Sequence, residues 1–528
     1  MTGNTAKVLK SVPKTKSQSS SSNLTNSIQT ISGRQSKEIF VAFCGAIGAG
    51  ISTLKQVARE ELEELGYEII DLRVSKLMKV FPEYVDMKPE NSFDRYKIYQ
   101  DLGDKLRDGY NRQILAEAVI NEVSIIKESS KQKVLTELKV DNPSSNTDEL
   151  CKKAQSIIDK KKVAFFIDQL KNPSEVELLR LTFQNNFYLI GVIRSEEERK
   201  RNLKDEGISQ EQVDILINRD RKSEDKYGQQ AEKTILDSDI FIKNNQSHVS
   251  HLRKSVKRFF CLIHGVNGIT PTTHEKGMFS AFSTSLQSAC LSRQVGASIL
   301  DENNNVIATG KNDVPKAFGG LYSTDDGYDD HRCIHKGGKC YNDAHKLKLK
   351  RKIEQLLSKE KISNSQEIAD ILYDKSGISS ILEFSRSIHA EMDAITSIAR
   401  TGNGKTIGST LYTTTYPCHN CARHIVAAGI IKAIYIEPYE KSLAIDLHDD
   451  AITNNLDQDK VIFQPFEGIS PRRYAKFFFP SAERKNDEGK AVKITTKYNH
   501  HVDIQYLDTS KTYQEVISED FRKKVENR

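Results

Sequence analysis

The chain has no tryptophan and only 8 cysteines in 528 residues. Those cysteines, at positions 44, 151, 261, 290, 333, 340, 418 and 421, lie far apart except for two local groups. That spacing argues against a disulfide framework and suits a reducing compartment with metal sites. No apolar run approaches the length needed to span a bilayer. The opening "MTGNTAKVLKSVPKTKSQSSSSNLTNS" lacks the apolar core of a secretory signal. A soluble cytoplasmic protein with no membrane partner is therefore expected. A large excess of one charge is also missing, since 78 Lys and Arg stand against 72 Asp and Glu, a formal net charge of +6. That excess is compatible with phosphate ligands and too small to argue for duplex DNA.

With 37% hydrophobic residues the chain can bury more than one core, so two or three domains are expected. Residues 1–36 are rich in Ser, Thr, Asn, Gln and Lys with few clustered apolar residues, a composition expected to be a disordered tail. From residue 37 to 246 apolar strands such as "IFVAFCG", "KVAFFIDQL" and "FYLIGVIR" alternate with helical patterns. That alternation predicts an α/β fold, a parallel sheet with helices on both faces. Residues 247–275 read as a helix and linker, and a second α/β unit is expected over 276–528. Within it "VGASILDENNNVIATG" predicts a hairpin with a polar turn. The last sixty or so residues take no role from pattern alone.

The chemistry concentrates in "HAEMDAI" and "TTYPCHNCARH". His389, Cys418 and Cys421 offer one imidazole and two thiolates, a favourable set for Zn²⁺, and three protein ligands leave the fourth tetrahedral position for water. Cys418 and Cys421 lie three apart at a helix start, so both sulfurs can face one point, aided by the helix dipole. Glu391, two residues past the histidine, can approach that water without being a ligand and act as the proton shuttle. H-x-E with P-C-x-x-C is the signature of zinc nucleobase deaminases.

The flanks "SRQVGASILDENNNVIATGKNDVP", "RSIHAEMDAI", "LYTTTYPCHNCARHIVAAGI" and "IYIEPYEKSLAIDLHDD" together resemble the deoxycytidylate deaminase family over roughly residues 276 to 465. The resemblance implies a cytidine-deaminase-like α/β/α sandwich and a catalytic zinc. It implies deoxycytidine nucleotides as substrates, with dCMP and also dCTP converted to the uracil nucleotide. It places Asn312 and Pro315 at the pocket and Arg293 against a phosphate, although "NDVP" departs at two positions from the usual Asn-Gly-Thr-Pro. Some members carry a second zinc. Here "DDHRCIHKGGKCYNDAH" offers Cys333, His335, Cys340 and His345, together with His331, and a His-rich loop is the alternative reading.

Earlier, "GAIGAGIST" has the context of a phosphate-binding loop, after a strand and before a helix, with Gly45, Gly48, Gly50, Ser52 and Thr53. The lysine that neutralises phosphate charge in G-x-x-x-x-G-K-[ST] is replaced by Ile51. Asp168 closes a strand where an acidic residue would hold Mg²⁺. "RSEEERKRNL" resembles the lid of small nucleotide kinases, with Arg194, Arg199 and Arg201 as candidate phosphate contacts. Three readings follow: a regulatory nucleotide-binding domain, an active kinase using a lysine such as Lys55, or a scaffold. The pairing of a P-loop kinase-like domain with a deaminase resembles the bacterial anti-phage cytidine nucleotide deaminases. That resemblance implies depletion of deoxycytidine nucleotides in defence, a homo-oligomer from dimer to hexamer, and an inhibitory small RNA. The rival enzyme class is a polynucleotide deaminase acting on tRNA or single-stranded DNA, which would use stacking aromatics and basic patches such as "KLKLKRK". A regulatory protein with a vestigial site is opposed by the intact His-Glu-Cys-Cys set.

Overall fold

The computed structural model describes residues 37–526 apart from 85–88, 142–145, 159–160, 222–227, 246–248, 382, 440–441, 456–458, 481–482 and 493–503. The expected tail lies outside these residues. The first sheet is built from β1 (Glu38–Gly45), β2 (Glu68–Arg73), β3 (Val163–Asp168), β4 (Phe187–Ile193) and β5 (Ile240–Lys243). They are parallel and run in the order β2-β3-β1-β4-β5. Successive side chains of a strand point to opposite faces, and β1 buries both. Phe40, Ala42 and Cys44 enter one core, and Ile39, Val41 and Phe43 enter the other.

Helices supply the covering layers. α1 (Ile51–Glu64) follows the glycine loop, α2 (Ile114–Asp141) covers the first core, and α3 (Glu196–Asp205) and α4 (Gln210–Arg221) follow β4. The stretch expected as helix and linker contains α5 (Val249–Ile263), buried through Leu252, Val256, Phe259 and Phe260 in the second core with α1.

The second unit opens with α6 (Thr273–Ser285), begun by a capping box in which Thr272 and Glu275 satisfy each other's backbone amides. β6 (Gly296–Leu300) and β7 (Val306–Lys311) form the expected hairpin, with Asn304 in the left-handed conformation at its turn. α7 (Tyr341–Lys359) lies in the insert. α8 (Ala390–Thr401), β8 (Thr410–Thr415), α9 (His419–Ala427), β9 (Lys432–Glu437), β10 (Ile452–Thr453) and β11 (Val461–Pro465) complete the unit. The sheet order is β7-β6-β8-β9-β11-β10. Met278 and Ala281 of α6 pack on one face, and Ala390, Ala394, Ala422 and Ile425 of α8 and α9 pack on the other. This is an α/β/α sandwich.

The C-terminal region returns to the first sheet. β12 (Gly468–Ile469) pairs antiparallel with β5, and α10 (Ile504–Glu526) places Phe521 in the first core. Lys476 is carried back with this segment and lies over the ring of Tyr188. Burial, opposed by Asp239, pulls its pKa down to about 7. Between that value and the ordinary lysine range near 10.5 the unfolded chain binds a proton that the folded chain does not, so stability rises with pH across this window. Lys476→Met is expected to stabilise the fold by about 1–3 kcal/mol at pH 7. The advantage shrinks towards pH 10, as denaturant melts at the two pH values would show.

Candidate functional site

The site lies where β8 ends and α8 and α9 begin. His389 and Cys418 occupy the N-cap positions of α8 and α9, so two helix N-termini converge on one point. α8 is held there by backbone. Ile388 donates its amide to the Asp313 carbonyl at 3.0 Å, and Lys311 donates its amide to the Asp393 carboxylate at 3.1 Å. Gly310 lets the helix rest directly on β7, because a Cβ there would stand 2.2 Å from the Ala390 carbonyl oxygen. Gly310→Ala is therefore expected to push α8 off the sheet. Turnover should fall by about 10²-fold, the cost typical of a roughly 1 Å misplacement, with a lower melting midpoint in the same sample.

His389 Nδ1 stands 3.3 Å from Cys418 Sγ and 3.4 Å from Cys421 Sγ. Ligand atoms of all three lie within 4.8 Å of one another. Nitrogen and sulfur donors sharing a tetrahedral zinc would be separated by about 3.5 Å, so the donor set fits that ion in type and spacing. The Cys421 thiol bonded to Cys418, together with His389, draws the Cys418 thiol down to about 4. His389 is raised to about 9, chiefly by its bond to Cys418. Cys421 lies 3.4 Å from Glu391 Oε2, and burial raises the pKa of Glu391. The predicted catalytic quartet is thus brought together.

The substrate candidates sit at the rim. Arg293 is half exposed, bonded at 3.0 Å to Glu437 and 5.7 Å from the ring of Tyr439. Glu437 ends β9, on the sheet edge that carries the cysteines, which is the edge where open α/β sheets take ligands. Asn312 is buried and faces the backbone. Its amide oxygen accepts from Val295 N at 2.7 Å and its Nδ2 donates to the Arg293 carbonyl at 2.7 Å. Asn312 therefore positions the loop bearing Arg293. Glu437 and Tyr439 were not singled out from the sequence, although a carboxylate closing "IYIEPY" at a strand end was a usable signal.

The four candidates for a second zinc are not brought together. His335 pairs with Asp330 at 3.3 Å, Cys340 meets Ser292 at 3.3 Å, Cys333 lies 4.0 Å from Arg386, and His345 packs on Phe384. Among the described residues the His389 group alone has metal-binding spacing.

In the glycine loop Gly48 and Gly50 adopt left-handed φ of 77° and 75°, while Ser52 and Thr53 are exposed in the first turn of α1. Ile51, at the missing lysine, is buried in the second core. Lys55, one helical turn on, is buried and paired with Asp71 at 2.8 Å and Asp168 at 3.2 Å. The carboxylate expected to face Mg²⁺ is thus already bonded to an ammonium. Arg194 pairs with Glu198 and approaches Gly50, the Arg199 backbone packs on Gly48, and Arg201 is exposed.

One imidazole and two thiols of metal-binding spacing, with a buried carboxylate beside them, are a donor set that could hold a metal ion. Residues 271–437 match the family model described as the cytidine and deoxycytidylate deaminase zinc-binding region. The deoxycytidylate deaminase of Enterobacteria phage T4 is 31% identical over 166 residues, which make up 31% of this chain and 76% of the phage protein. The corresponding protein of Enterobacteria phage T2 is 31% identical over 170 residues, 31% of this chain and 78% of that one. The dCMP deaminase of cyanophage S-TIM5, solved in complex with dCMP and dUMP, is 20% identical and covers 38% of this chain and 100% of its own, with a TM-score of 0.23. The chain belongs to the deoxycytidylate deaminase family and is a hydrolase of that class. Among the described residues no helix is long and apolar enough to cross a membrane.

Proposed function

We propose that the chain deaminates deoxycytidine nucleotides, dCMP and also dCTP, releasing ammonia and the uracil nucleotide. The observation that carries this reading is the convergence of His389, Cys418 and Cys421 with Glu391 in one buried space. A zinc ion held by these three donors would supply a Lewis acid that lets water ionise near neutral pH. The Glu391 carboxylate takes one proton from the attacking water and gives it to the ring nitrogen, then takes the remaining proton of the new hydroxyl and gives it to the departing amine as the C–N bond breaks. Burial raises its pKa above the ordinary carboxylate range, which suits a group that must bind and release a proton in each turnover. Arg293 offers its guanidinium to the substrate phosphate, exchanging Glu437 for it.

The first unit is read as a P-loop kinase-like domain that binds a regulatory nucleotide. The strand order β2-β3-β1-β4-β5 and the glycine loop between β1 and α1 support that reading. The pairing of β12 with β5 supplies a physical route to the deaminase. Family resemblance supports a cytoplasmic homo-oligomer, held off by a small RNA and acting in anti-phage defence. The test is ammonia release from dCMP, dCTP, CMP and single-stranded DNA, with Glu391→Ala as control. Release from deoxycytidine nucleotides that vanishes in the variant is the expected result. Release from the polymer alone would make the protein a polynucleotide editor.

A further inference from the structure

The glycine loop is closed by opposite charges that belong to the chain itself. The Asp220 carboxylate, fully buried on α4, accepts the Ile47 amide at 2.6 Å and the Lys171 ammonium at 2.8 Å. Lys171 also donates to the Gly45 carbonyl at 2.9 Å, so it spans the mouth of the loop. α3 and α4 grip the loop further. Asn202 donates to the Gly48 carbonyl at 3.0 Å, and the Ile47 side chain is packed among Leu203, Val213, Leu216 and Ile217. Further along α1, the Lys55 ammonium lies between Asp71, in the C-terminal half of β2, and Asp168, the last residue of β3.

A backbone amide and a lysine are the partners a phosphate oxygen takes, and a carboxylate pair at strand ends is what a divalent cation takes. Resting on the P-loop reading of this unit, we propose that the cradle is self-occupied. The Asp220 carboxylate stands in place of a ligand phosphate, and the Lys55 ammonium stands in place of its divalent cation. A phosphate-chain ligand, such as a nucleoside di- or triphosphate, enters only by displacing Asp220 and loosening α3 and α4. The site therefore binds without magnesium, and ligand entry changes the packing of the two helices over the loop.

The probe is inorganic pyrophosphate, titrated calorimetrically into the full-length zinc-loaded protein, with melting midpoint and bound zinc confirming that each variant is folded. Asp220→Asn removes the competing charge at constant shape and is expected to bind pyrophosphate at least about tenfold tighter than wild type. Asn202→Ala, which loosens the grip without touching the carboxylate, gains about threefold. Magnesium shifts neither affinity by more than about twofold. Equal affinity in all three proteins would overturn the self-occupied cradle and leave the P-loop reading standing. Absence of binding in all three would overturn both. Binding that requires magnesium would overturn the role given to Lys55.

Discussion

Glu391→Ala is expected to lower kcat for dCMP by about 10²–10⁴-fold, the range of a positioned general acid–base, while zinc content stays at the wild-type level. The carboxylate contacts Cys421 but is not one of the three grouped donors. Removing it should therefore take away the proton shuttle and spare the metal. The variant should also fold. Burial raises the pKa of Glu391, so an ionised carboxylate at this position is a cost that alanine does not carry. That relief offsets the small cavity left behind, and the melting midpoint should move little. Glu391→Gln preserves shape and hydrogen bonding but cannot move a proton, so it should lose as much turnover as alanine. A fall in bound zinc alongside activity would sink the assignment, because Glu391 would then be a ligand rather than a shuttle.

The two units share buried ions as well as a strand pair. Glu275, buried at the start of α6, takes the Arg258 guanidinium of α5 and the Ile469 amide of β12. Asp239, fully buried just before β5, takes Arg180 of the first unit and Arg473 of the returning segment. Each carboxylate draws partners from both sides of the junction, and breaking a buried pair on one side typically costs about 3–5 kcal/mol. A displacement of β5 is therefore felt directly at α6, which packs beneath the strand leading to Cys418 and Cys421.

Local chemistry was legible in the sequence because the relevant residues are close together in it. His389 and Glu391 share one helical turn, Cys418 and Cys421 share another, and short spacing translates directly into geometry. The alternation of apolar strands and helical patterns likewise announced two layered sheets. Long-range partners were not legible. Lys55 reads as a possible catalytic lysine until Asp71 and Asp168 are seen around it. Asp220 reads as one charge in a run of them, and its burial against Ile47 depends on a fold separating the two by 173 positions. The C-terminal region gave no pattern of its own. Phe521 and the Lys524–Glu117 pair acquire meaning only against α2. Cys and His are dense in the insert's sequence, yet the backbone sends those side chains to four separate partners, a dispersal that residue spacing does not announce.

Cys421→Ala is expected to abolish deamination and to lower zinc affinity by more than about 100-fold. Partners one step removed from a metal already cost about 10–100-fold when lost, and Cys421 is a direct donor. The thiol is buried beside His389 and Glu391, where no water-exposed group can replace it. Two donors cannot close a zinc site that needs three. Zinc binding in such sites is coupled to folding, so the variant should also melt lower than wild type in the presence of zinc and match it after chelation. The insert provides the contrast. Cys333→Ala and Cys340→Ala break contacts to Arg386 and Ser292 but no donor group, so each should keep turnover within about threefold of wild type. Metal analysis should return one zinc per chain for wild type and for both insert variants, and none for Cys421→Ala. Two zinc ions in wild type falling to one in Cys333→Ala would show that the insert closes around metal after all, and that its four dispersed side chains can be drawn together by the ion itself.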